Sequence, residues 1–422
     1  MQKISTANEW GARAYAALPA GGFGNFDPGV ILERGEGSRV WDVEGREFID
    51  YLIGSGPMML GHGHPEVNEA ILEQLPKGLT FFANNTAGVE LAEAIIAAVP
   101  CAEQVRFLTS GGEADMYAIR LARAATGRPK ILKFEGGYHG MGPDAQMSLA
   151  PTRLVNFPQA VPDSAGIPDG VRENMLVAPF NDIEMVRSLI AEHGPEIAGI
   201  IVEPLQRLIP PEPGFLAALR EECTKAGIIL IFDEIVTGFR LAWGGAQEAY
   251  GVVPDICTLG KVIGGGFALA AIAGRADLMA HFDKSKANDN FLMQLGTLAG
   301  APMAAVAGLK TMEILSREGT YDRLEANGKR IMASLETHLG VTGHPFRIVG
   351  APSLFDVIFI DRDVRDYRDS IAGDAGLNAR FNDVLRAEGI MKPIGKTYIS
   401  LALSDEDLDR TDAAIKKAAE AL

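Results

Sequence analysis

The central part of the chain alternates short apolar segments with amphipathic helical patterns, and this alternation restricts the possible folds more than any other feature. The apolar segments lack strict apolar–polar alternation, so both faces of their sheet should be covered. Between them, Gly88–Val99, Glu113–Thr126 and Pro213–Ala226 have apolar residues on one helical face. The pattern predicts an α/β fold with a mostly parallel sheet, which binds ligands at the carboxyl ends of its strands. The candidate strands are Val105–Leu108, Ile131–Phe134, Met175–Ala178, Ile197–Glu203, Ile228–Asp233, Asp255–Leu259 and Phe267–Gly274.

The segments on either side of this region predict a second, smaller domain. Ser38–Tyr51 has the pattern of two short strands around a turn, while Ser353–Ile360 and Lys396–Leu403 have the pattern of further strands. Asp405–Leu422 has the pattern of a closing helix. The predicted division is an N-terminal part of the small domain at residues 1–60, a large domain at residues 61–308 and a C-terminal small domain at residues 309–422.

Composition narrows the classes of partner. The chain has 422 residues and a formal net charge of −16, which argues against nucleic acid or an anionic membrane as the main partner. Its three cysteines are widely spaced, so we expect neither a disulfide framework nor a zinc site, and no metal. No segment has the length and apolarity needed to cross a bilayer, and the N-terminus lacks the apolar core of a signal peptide. We expect a cytoplasmic protein.

Two ionisable residues stand at the ends of apolar segments in the predicted large domain. Asp233 ends the segment Ile228–Asp233, and Lys261 lies between an apolar segment and three consecutive glycines. Taken alone, Asp233 could be a helix cap or a salt-bridge partner, and Lys261 could be an ordinary surface lysine. Together they provide what pyridoxal phosphate (PLP) chemistry needs, an amine for a Schiff base and a carboxylate beside the ring nitrogen. We therefore predict that Lys261 and Asp233 are catalytic.

A glycine-containing turn provides a candidate phosphate site. Thr109–Ala114 follows the candidate strand Val105–Leu108 and opens a helix. Backbone N–H groups at such a junction bind anions, and glycine allows a phosphate to approach closely. We assign Ser110, Gly111 and Gly112 to the phosphate of PLP.

Further motifs extend over nearly the whole chain. They are Glu33–Gly37, Trp41-Asp42, Gly56–His62, Phe134–Gly136, Thr237–Arg240, Gly244–Gln247 and Thr258–Gly266. With Lys261 and Asp233, they make the chain similar to the class III aminotransferases of fold type I, above all to glutamate-1-semialdehyde aminomutases and to β/ω-amino acid transaminases. The resemblance implies a large domain with a mostly parallel mixed sheet flanked by helices, and a small α+β domain. It also implies PLP as cofactor, with pyridoxamine phosphate as an intermediate.

The same resemblance implies roles for individual residues around the cofactor. Tyr138 should stack on the pyridine ring, and Glu203 and Gln206 should support the site beside it. His139 is expected to support the site, with proton transfer as the alternative. Thr297 matches a family element that gives a hydroxyl to the phosphate of the neighbouring subunit, so a homodimer with shared active sites is implied. Gly112 departs from the family, which usually has a hydroxyl residue at this position.

A substrate carboxylate would require a cation, and a substrate side chain would require a pocket. Arg240, Arg207 and Lys392 are candidates for the cation, and each could equally form a structural ion pair. The aromatic residues Phe23 and Phe26 are candidates for the lining of an apolar substrate pocket.

Loops that line the substrate region depart from the aminomutase pattern. Gly54–Pro57 lacks the tryptophan of that family, and the segments after Glu203 and Thr297 also differ. We therefore expect an aminotransferase that moves an amino group from a primary amine or amino acid, of the β/ω type or with an apolar or aromatic side chain, to a keto acid. The alternative is glutamate-1-semialdehyde 2,1-aminomutase or a related amino-acid racemase. A nicotinamide dehydrogenase would require a GxGxxG turn that the glycines after Lys261 do not provide, and a non-catalytic relative would most simply lack Lys261 or Asp233.

Overall fold

The computed structural model describes residues 7–422, so the first six residues of the predicted N-terminal segment lie outside it. The strands are Leu32–Glu36 (β1), Arg39–Asp42 (β2), Glu47–Asp50 (β3), Gln104–Leu108 (β4), Lys130–Phe134 (β5), Met175–Ala178 (β6), Ile197–Val202 (β7), Ile229–Asp233 (β8), Ile256–Leu259 (β9), Ala270–Gly274 (β10), Arg347–Ala351 (β11), Leu354–Ile358 (β12), Ile390–Met391 (β13) and Thr397–Tyr398 (β14). The helices are Ala7–Ala17 (α1), Pro65–Gln74 (α2), Thr86–Ala98 (α3), Gly111–Thr126 (α4), Asp169–Glu173 (α5), Ile183–His193 (α6), Phe215–Ala226 (α7), Gly245–Tyr250 (α8), Ala276–Met279 (α9), Lys284–Ala287 (α10), Pro302–Leu315 (α11), Thr320–Leu339 (α12), Tyr367–Ile371 (α13), Ala375–Ala387 (α14) and Asp405–Glu420 (α15).

A seven-stranded sheet forms the centre of the molecule, in the order β4-β10-β9-β8-β7-β5-β6. Strand β10 runs antiparallel to both of its neighbours, and the remaining pairs are parallel. Every residue of β7 and of β9 is buried, as expected for strands covered on both faces. The prediction of a mostly parallel sheet is confirmed, and each of the seven predicted segments overlaps one of its strands.

Two helices next to this sheet begin where the sequence places a capping residue. The Asn85 side chain accepts a hydrogen bond from the backbone N–H of Gly88 at the start of α3. Ser110 caps α4 by accepting from the N–H of Glu113, and the Glu113 carboxylate in turn accepts from the N–H of Thr109. These bonds satisfy N–H groups that the first helical turn leaves without partners. They fix the position of the β4–α4 turn.

The N-terminal and C-terminal segments meet in a four-stranded sheet of order β1-β2-β3-β13, in which β13 pairs with β3 in parallel. A three-stranded sheet, β11-β12-β14, lies in the C-terminal segment. Strand β14 has only two residues instead of the predicted Lys396–Leu403, because the N–H of Leu401 bonds to Met59 O and the chain leaves the sheet. Strand β10 starts later than predicted because Phe267 closes a turn on Gly264. The division at residues 60 and 308 stays a proposal.

Candidate active site

A cavity of about 1080 Å³ lies at the carboxyl ends of the parallel strands. Its position is the one that an open α/β sheet favours for a ligand, because the loops after neighbouring strands meet at that edge. Most of the predicted cofactor residues line it, although they come from distant parts of the sequence. These residues are Ser110, Gly111, Gly112, Tyr138, Glu203, Gln206, Asp233 and Lys261.

Lys261 follows β9 and begins a short 3₁₀ turn, with a backbone φ of 48°. A positive φ is costly for a residue with a side chain, so the surrounding turn holds Lys261 in a strained conformation. Gly56 faces it, and a Cβ atom there would lie 3.3 Å from the Lys261 side chain. Burial lowers the pKa of the Lys261 amine from its ordinary value, which increases the fraction of the nucleophilic, uncharged form at neutral pH.

Asp233 ends β8 and is buried. One carboxylate oxygen accepts the backbone N–H of Ile235 at 3.1 Å, and the other lies 2.8 Å from His139 Nδ1. A buried carboxylate needs such partners because burial removes its hydration. His139 therefore orients Asp233, and its second ring nitrogen, Nε2, is buried without a hydrogen-bond partner among residues 7–422.

The phosphate end of the cavity is formed by the start of α4. Gly111 packs against Ile235, and a Cβ atom at Gly111 would lie 3.0 Å from that side chain. At Gly112 a Cβ atom would lie 3.0 Å from the Cα atom of Gly140. The close approach of Gly112 and Gly140 gives a physical reason for the absence of the hydroxyl residue that the family usually has. The backbone N–H groups of Gly111 and Gly112, at the start of the helix, remain available for an anion.

Tyr138 lies in the cavity, with 42% of its surface exposed. Its backbone N–H donates to the Glu203 carboxylate at 2.8 Å. A buried lysine that the sequence did not single out, Lys133, lies below the same loop and donates to the carbonyl groups of Gly137, Ala145 and Met147 at 2.7 to 3.0 Å. Burial lowers the pKa of Lys133 to about 7. The side chains of Lys133 and Glu203 thus fix the loop that presents Tyr138.

Gln206 lies beside this loop and is buried. Its amide nitrogen donates to Glu135 O at 2.8 Å, while its side-chain oxygen has no partner in the described part of the chain. Burial raises the pKa of Glu203, and the negative charge of Asp233 raises it further. Both predicted supporting residues therefore lie at the cavity wall.

The three predicted cations have different positions. Arg240 is buried behind the cavity, where it donates to Gly56 O and Val236 O and stacks 5.2 Å from the Tyr398 ring. Lys392 forms a buried ion pair with Asp356 at 2.9 Å, which is the structural alternative that the sequence left open for it. Of the three, only Arg207 lines the cavity.

Arg207 is joined at the cavity wall by Lys396, which the sequence did not single out. Among residues 7–422, neither side chain has an acidic partner within ion-pair distance. Arg207 has a backbone φ of 61° and lies 5.6 Å from the Tyr138 ring. A strained turn thus places the Arg207 guanidinium next to the Tyr138 ring. Lys396 could be assigned to the same site only once the fold was known.

Three predicted residues lie away from the cavity lining. Phe23 is 85% exposed, and Phe26 packs against the Arg386 guanidinium at 5.4 Å, so the single chain does not bring either into the pocket. Their neighbour Asn25 does line the cavity. Thr297 accepts a hydrogen bond from the Thr80 hydroxyl through its backbone carbonyl, at 3.4 Å. Its contact with the phosphate of a neighbouring subunit stays a prediction.

A second buried acid, Asp115, lies near the predicted catalytic carboxylate. One oxygen each from Asp115 and Asp233 and one ring nitrogen of His139 lie within 4.8 Å of one another. Three such atoms could hold a metal ion, so the expectation that the chain binds no metal stays a prediction.

The Lys261 amine, the Asp233 carboxylate, the Tyr138 ring and the start of α4 fit PLP. Each is of the type that one part of this cofactor requires, and all line one cavity. Within the described residues no helix is both long and apolar enough to cross a membrane.

Comparison with known proteins gives consistent results. The model of the family described as aminotransferase class-III matches residues 24–419. Glutamate-1-semialdehyde 2,1-aminomutase from Thermomicrobium roseum is 42% identical over 92% of this chain and 90% of the relative. An omega-transaminase from Sphaerobacter thermophilus is 34% identical, with a TM-score of 0.92 over 100% of this chain and 98% of that structure. A β-phenylalanine aminotransferase from Variovorax paradoxus is 33% identical, with a TM-score of 0.86 over 97% and 93% of the two chains.

The match over almost the whole length, the mixed seven-stranded sheet and the cavity at its edge agree with one another. The predicted family, the fold of type I and the cofactor are confirmed. The chain belongs to the class III aminotransferases, enzymes that depend on PLP.

Proposed function

We propose that the chain is an aminotransferase that moves an amino group from a primary amine or amino acid to a keto acid, with Lys261 as the Schiff-base lysine. The observation that carries this proposal is the position of the Lys261 amine, the Asp233 carboxylate and the start of α4 around one cavity. The similarity to an omega-transaminase over the full length of this chain favours amino transfer.

Different residues of the chain would act on different parts of the cofactor. PLP supplies an electron sink for the carbon that carries the amino group. The backbone N–H groups of Gly111 and Gly112 hold the phosphate, and Tyr138 covers one face of the ring. Asp233 holds the proton on the ring nitrogen, with His139 fixing its orientation. Lys261 would hold PLP through its amine, and that amine would take the proton from the carbon of a bound donor.

The cavity has features that suit a carboxylate with an apolar group. Arg207 and Lys396 offer positive charge to a keto acid or an amino acid. Apolar side chains form another part of the cavity wall. These side chains are Val349, Ile358, Phe359, Ile371 and Ile394. This combination supports an amino acid of the β/ω type or with an apolar side chain as donor.

The proposal includes a homodimer with shared active sites. Large apolar side chains are exposed close to Thr297, where the single chain leaves an apolar patch that a second copy would cover. These side chains are Phe81, Phe82, Met293, Leu295 and Leu298. The Thr297 hydroxyl would then reach the phosphate bound by the other subunit. A location in the cytoplasm stays part of the proposal.

A second candidate function is supported by the curated relatives. The relative from Thermomicrobium roseum, at 42% identity, is named as a glutamate-1-semialdehyde 2,1-aminomutase. In such a reaction, or in a racemase, Lys261 would do the same proton chemistry while the product keeps its amino group. The two candidates differ in whether a carbonyl product leaves the site.

The absorption spectrum of the purified PLP-loaded protein tests the proposal. Donor amines and amino acids are added without an acceptor, and the released carbonyl compound is measured. We expect a donor to replace the band of lysine-bound PLP with that of pyridoxamine phosphate, with one carbonyl product per site. A band that survives every donor, while glutamate-1-semialdehyde or one enantiomer of an amino acid is isomerised, would establish the second candidate instead. The variant Lys261→Ala provides the control for uncatalysed exchange.

A further inference from the structure

Asp115 lies in the second turn of α4, the helix whose start forms the phosphate site, and it is buried. One of its oxygens accepts the Thr258 hydroxyl at 2.6 Å. Thr258 lies opposite Asp233 in the pairing of β9 with β8, and its hydroxyl is 3.5 Å from an Asp233 oxygen. Asp115 therefore lies next to the carboxylate assigned to the ring nitrogen, and it also lines the cavity.

Three buried carboxyl groups meet at this place, and they have unequal numbers of hydrogen-bond donors. Asp233 has the Ile235 N–H and the His139 ring, and Glu203 has the Tyr138 N–H. Within residues 7–422, the one hydrogen-bond donor to the Asp115 side chain is the hydroxyl of Thr258. Like charges that lie close together in a buried position oppose ionisation of all three groups. Burial raises the pKa of Asp115 well above its ordinary value, and the charge of Asp233 adds to this effect.

The groups that face Asp115 come from several elements. Asp233 comes from β8, Glu203 from the end of β7 and His139 from the loop after β5. The titratable side chain of strand β4 is Arg106, whose guanidinium is bound to Gln294, and strand β10 has no titratable side chain. The nearest titratable groups are thus two carboxyl groups and one imidazole, and the imidazole is already bound to Asp233.

We infer that Asp115 is a positioning residue that keeps its proton, accepts from Thr258 and donates toward Asp233, so that the negative charge of the pair stays on the carboxylate facing the ring nitrogen of PLP. An ionised Asp115 would compete with Asp233 for the positive charge of the protonated ring. A protonated Asp115 instead donates a hydrogen bond to the Asp233 carboxylate, which also bonds to His139 and to the Ile235 N–H. This role is the same in an aminotransferase and in an aminomutase, so it does not depend on which reaction the chain catalyses.

The test compares Asp115→Asn, which imitates the protonated acid in shape and hydrogen bonding, with Asp115→Leu, which removes both the acceptor and the donor. The dissociation constant for PLP is measured on the full-length protein by equilibrium dialysis. We expect Asp115→Asn to leave it within about threefold of wild type, and Asp115→Leu to raise it about tenfold, as one lost buried hydrogen bond would. The visible band of lysine-bound PLP should keep its pH midpoint in Asp115→Asn.

A second readout needs no cofactor and remains informative if Asp115→Leu does not fold. It is the melting temperature of the full-length, PLP-free protein between pH 4 and pH 8. A carboxyl group whose pKa is raised by folding stabilises the folded state by keeping its proton there. This contribution is lost as the pH rises above the pKa of the unfolded chain, about 3.9. Wild type should therefore lose stability relative to Asp115→Asn as the pH increases.

The matched control for this readout is Asp42→Asn. Asp42 is also buried, but its pKa is lowered by hydrogen bonds from the Arg46 backbone and side chain, against the effect of burial. Wild type should therefore gain stability relative to Asp42→Asn between pH 4 and about pH 5, and its advantage should stay constant at higher pH. The inference is overturned if the stability of wild type relative to Asp115→Asn changes with pH in the same direction as it does relative to the control. It is also overturned if Asp115→Asn weakens PLP binding as much as Asp115→Leu.

Discussion

The cofactor end and the substrate end of the cavity are built in different ways. At the cofactor end, Asp233 and Glu203 are buried and accept hydrogen bonds from fixed groups. At the substrate end, Arg207 and Lys396 line the cavity without acidic partners among the described residues. We propose that the rigid strand ends carry the chemistry, while loops whose charges have no ion-pair partner among residues 7–422 select the substrate. This division agrees with a family in which one cofactor site is found with different named activities.

The largest effect is expected for Lys261→Ala, because it removes the only amine assigned to covalent chemistry. The rate should fall by about 10³-fold or more, as expected for loss of a residue that acts as both nucleophile and base. PLP should still bind through the phosphate site, but without the absorption band of the lysine-bound form. The measurement is single-turnover kinetics together with the visible spectrum. Lys396→Ala is the matched control, since it removes a cavity lysine and should keep that band.

A smaller effect is expected for Asp233→Asn, which retains the shape of the side chain but removes its charge. Without a carboxylate to hold the proton on the ring nitrogen, the electron sink is weakened. The rate should fall by on the order of 10²- to 10³-fold, comparable to loss of a preorganised electrostatic partner. Lys261 should still give its absorption band. An Asp233→Asn enzyme with the wild-type rate would show that the ring nitrogen has another partner.

The substrate end is tested by Arg207→Ala and Lys396→Ala. Loss of a charge-assisted hydrogen bond to a substrate carboxylate should raise the KM for keto acids about tenfold in at least one of the variants. The reaction with an amine donor that has no carboxylate should change little. Steady-state kinetics with both kinds of donor provide the measurement. Arg172→Ala is the control, because Arg172 is exposed and paired with Asp169. Equal effects on charged and uncharged substrates would contradict a carboxylate site here.

The cofactor end of the cavity is also the part whose residues are marked by local patterns in the sequence, whereas several other residues are not marked. The strand ends carrying Asp233 and Lys261 are marked by local apolar segments, and the α4 start is marked by a capping serine and glycines. Asp115 bonds to Thr258, which is far away in the chain, and Lys396 meets Arg207 at the cavity only in the folded chain. Lys133 bonds to nearer carbonyl groups, but no local pattern marks any of the three residues. The sequence also left open whether Lys392 binds substrate or forms a structural ion pair, and the folded chain pairs it with Asp356. Local signals predict the cofactor end well because its residues terminate regular elements.

The smallest effect on catalysis is expected for Lys133→Met, which leaves the carbonyl groups of Gly137, Ala145 and Met147 without their shared donor. The loop with Tyr138 should loosen, and kcat/KM should fall several-fold, while the free energy of unfolding should fall by about 1–3 kcal/mol. Burial lowers the pKa of Lys133 to about 7, whereas the unfolded chain titrates near its ordinary value of about 10.4.

Between those two pH values the unfolded wild-type chain binds more protons than the folded one, so its stability should rise with pH relative to Lys133→Met. Denaturant unfolding at pH 7 and pH 9 measures this difference. Lys130→Met is a suitable control, because Lys130 lies on the same strand and bonds only at the surface. If the wild-type advantage did not grow with pH, Lys133 would be charged in both states throughout the range. The loop would then be held by a permanent ammonium group, and the cofactor end would contain a buried positive charge that the carboxyl groups around Asp233 must balance.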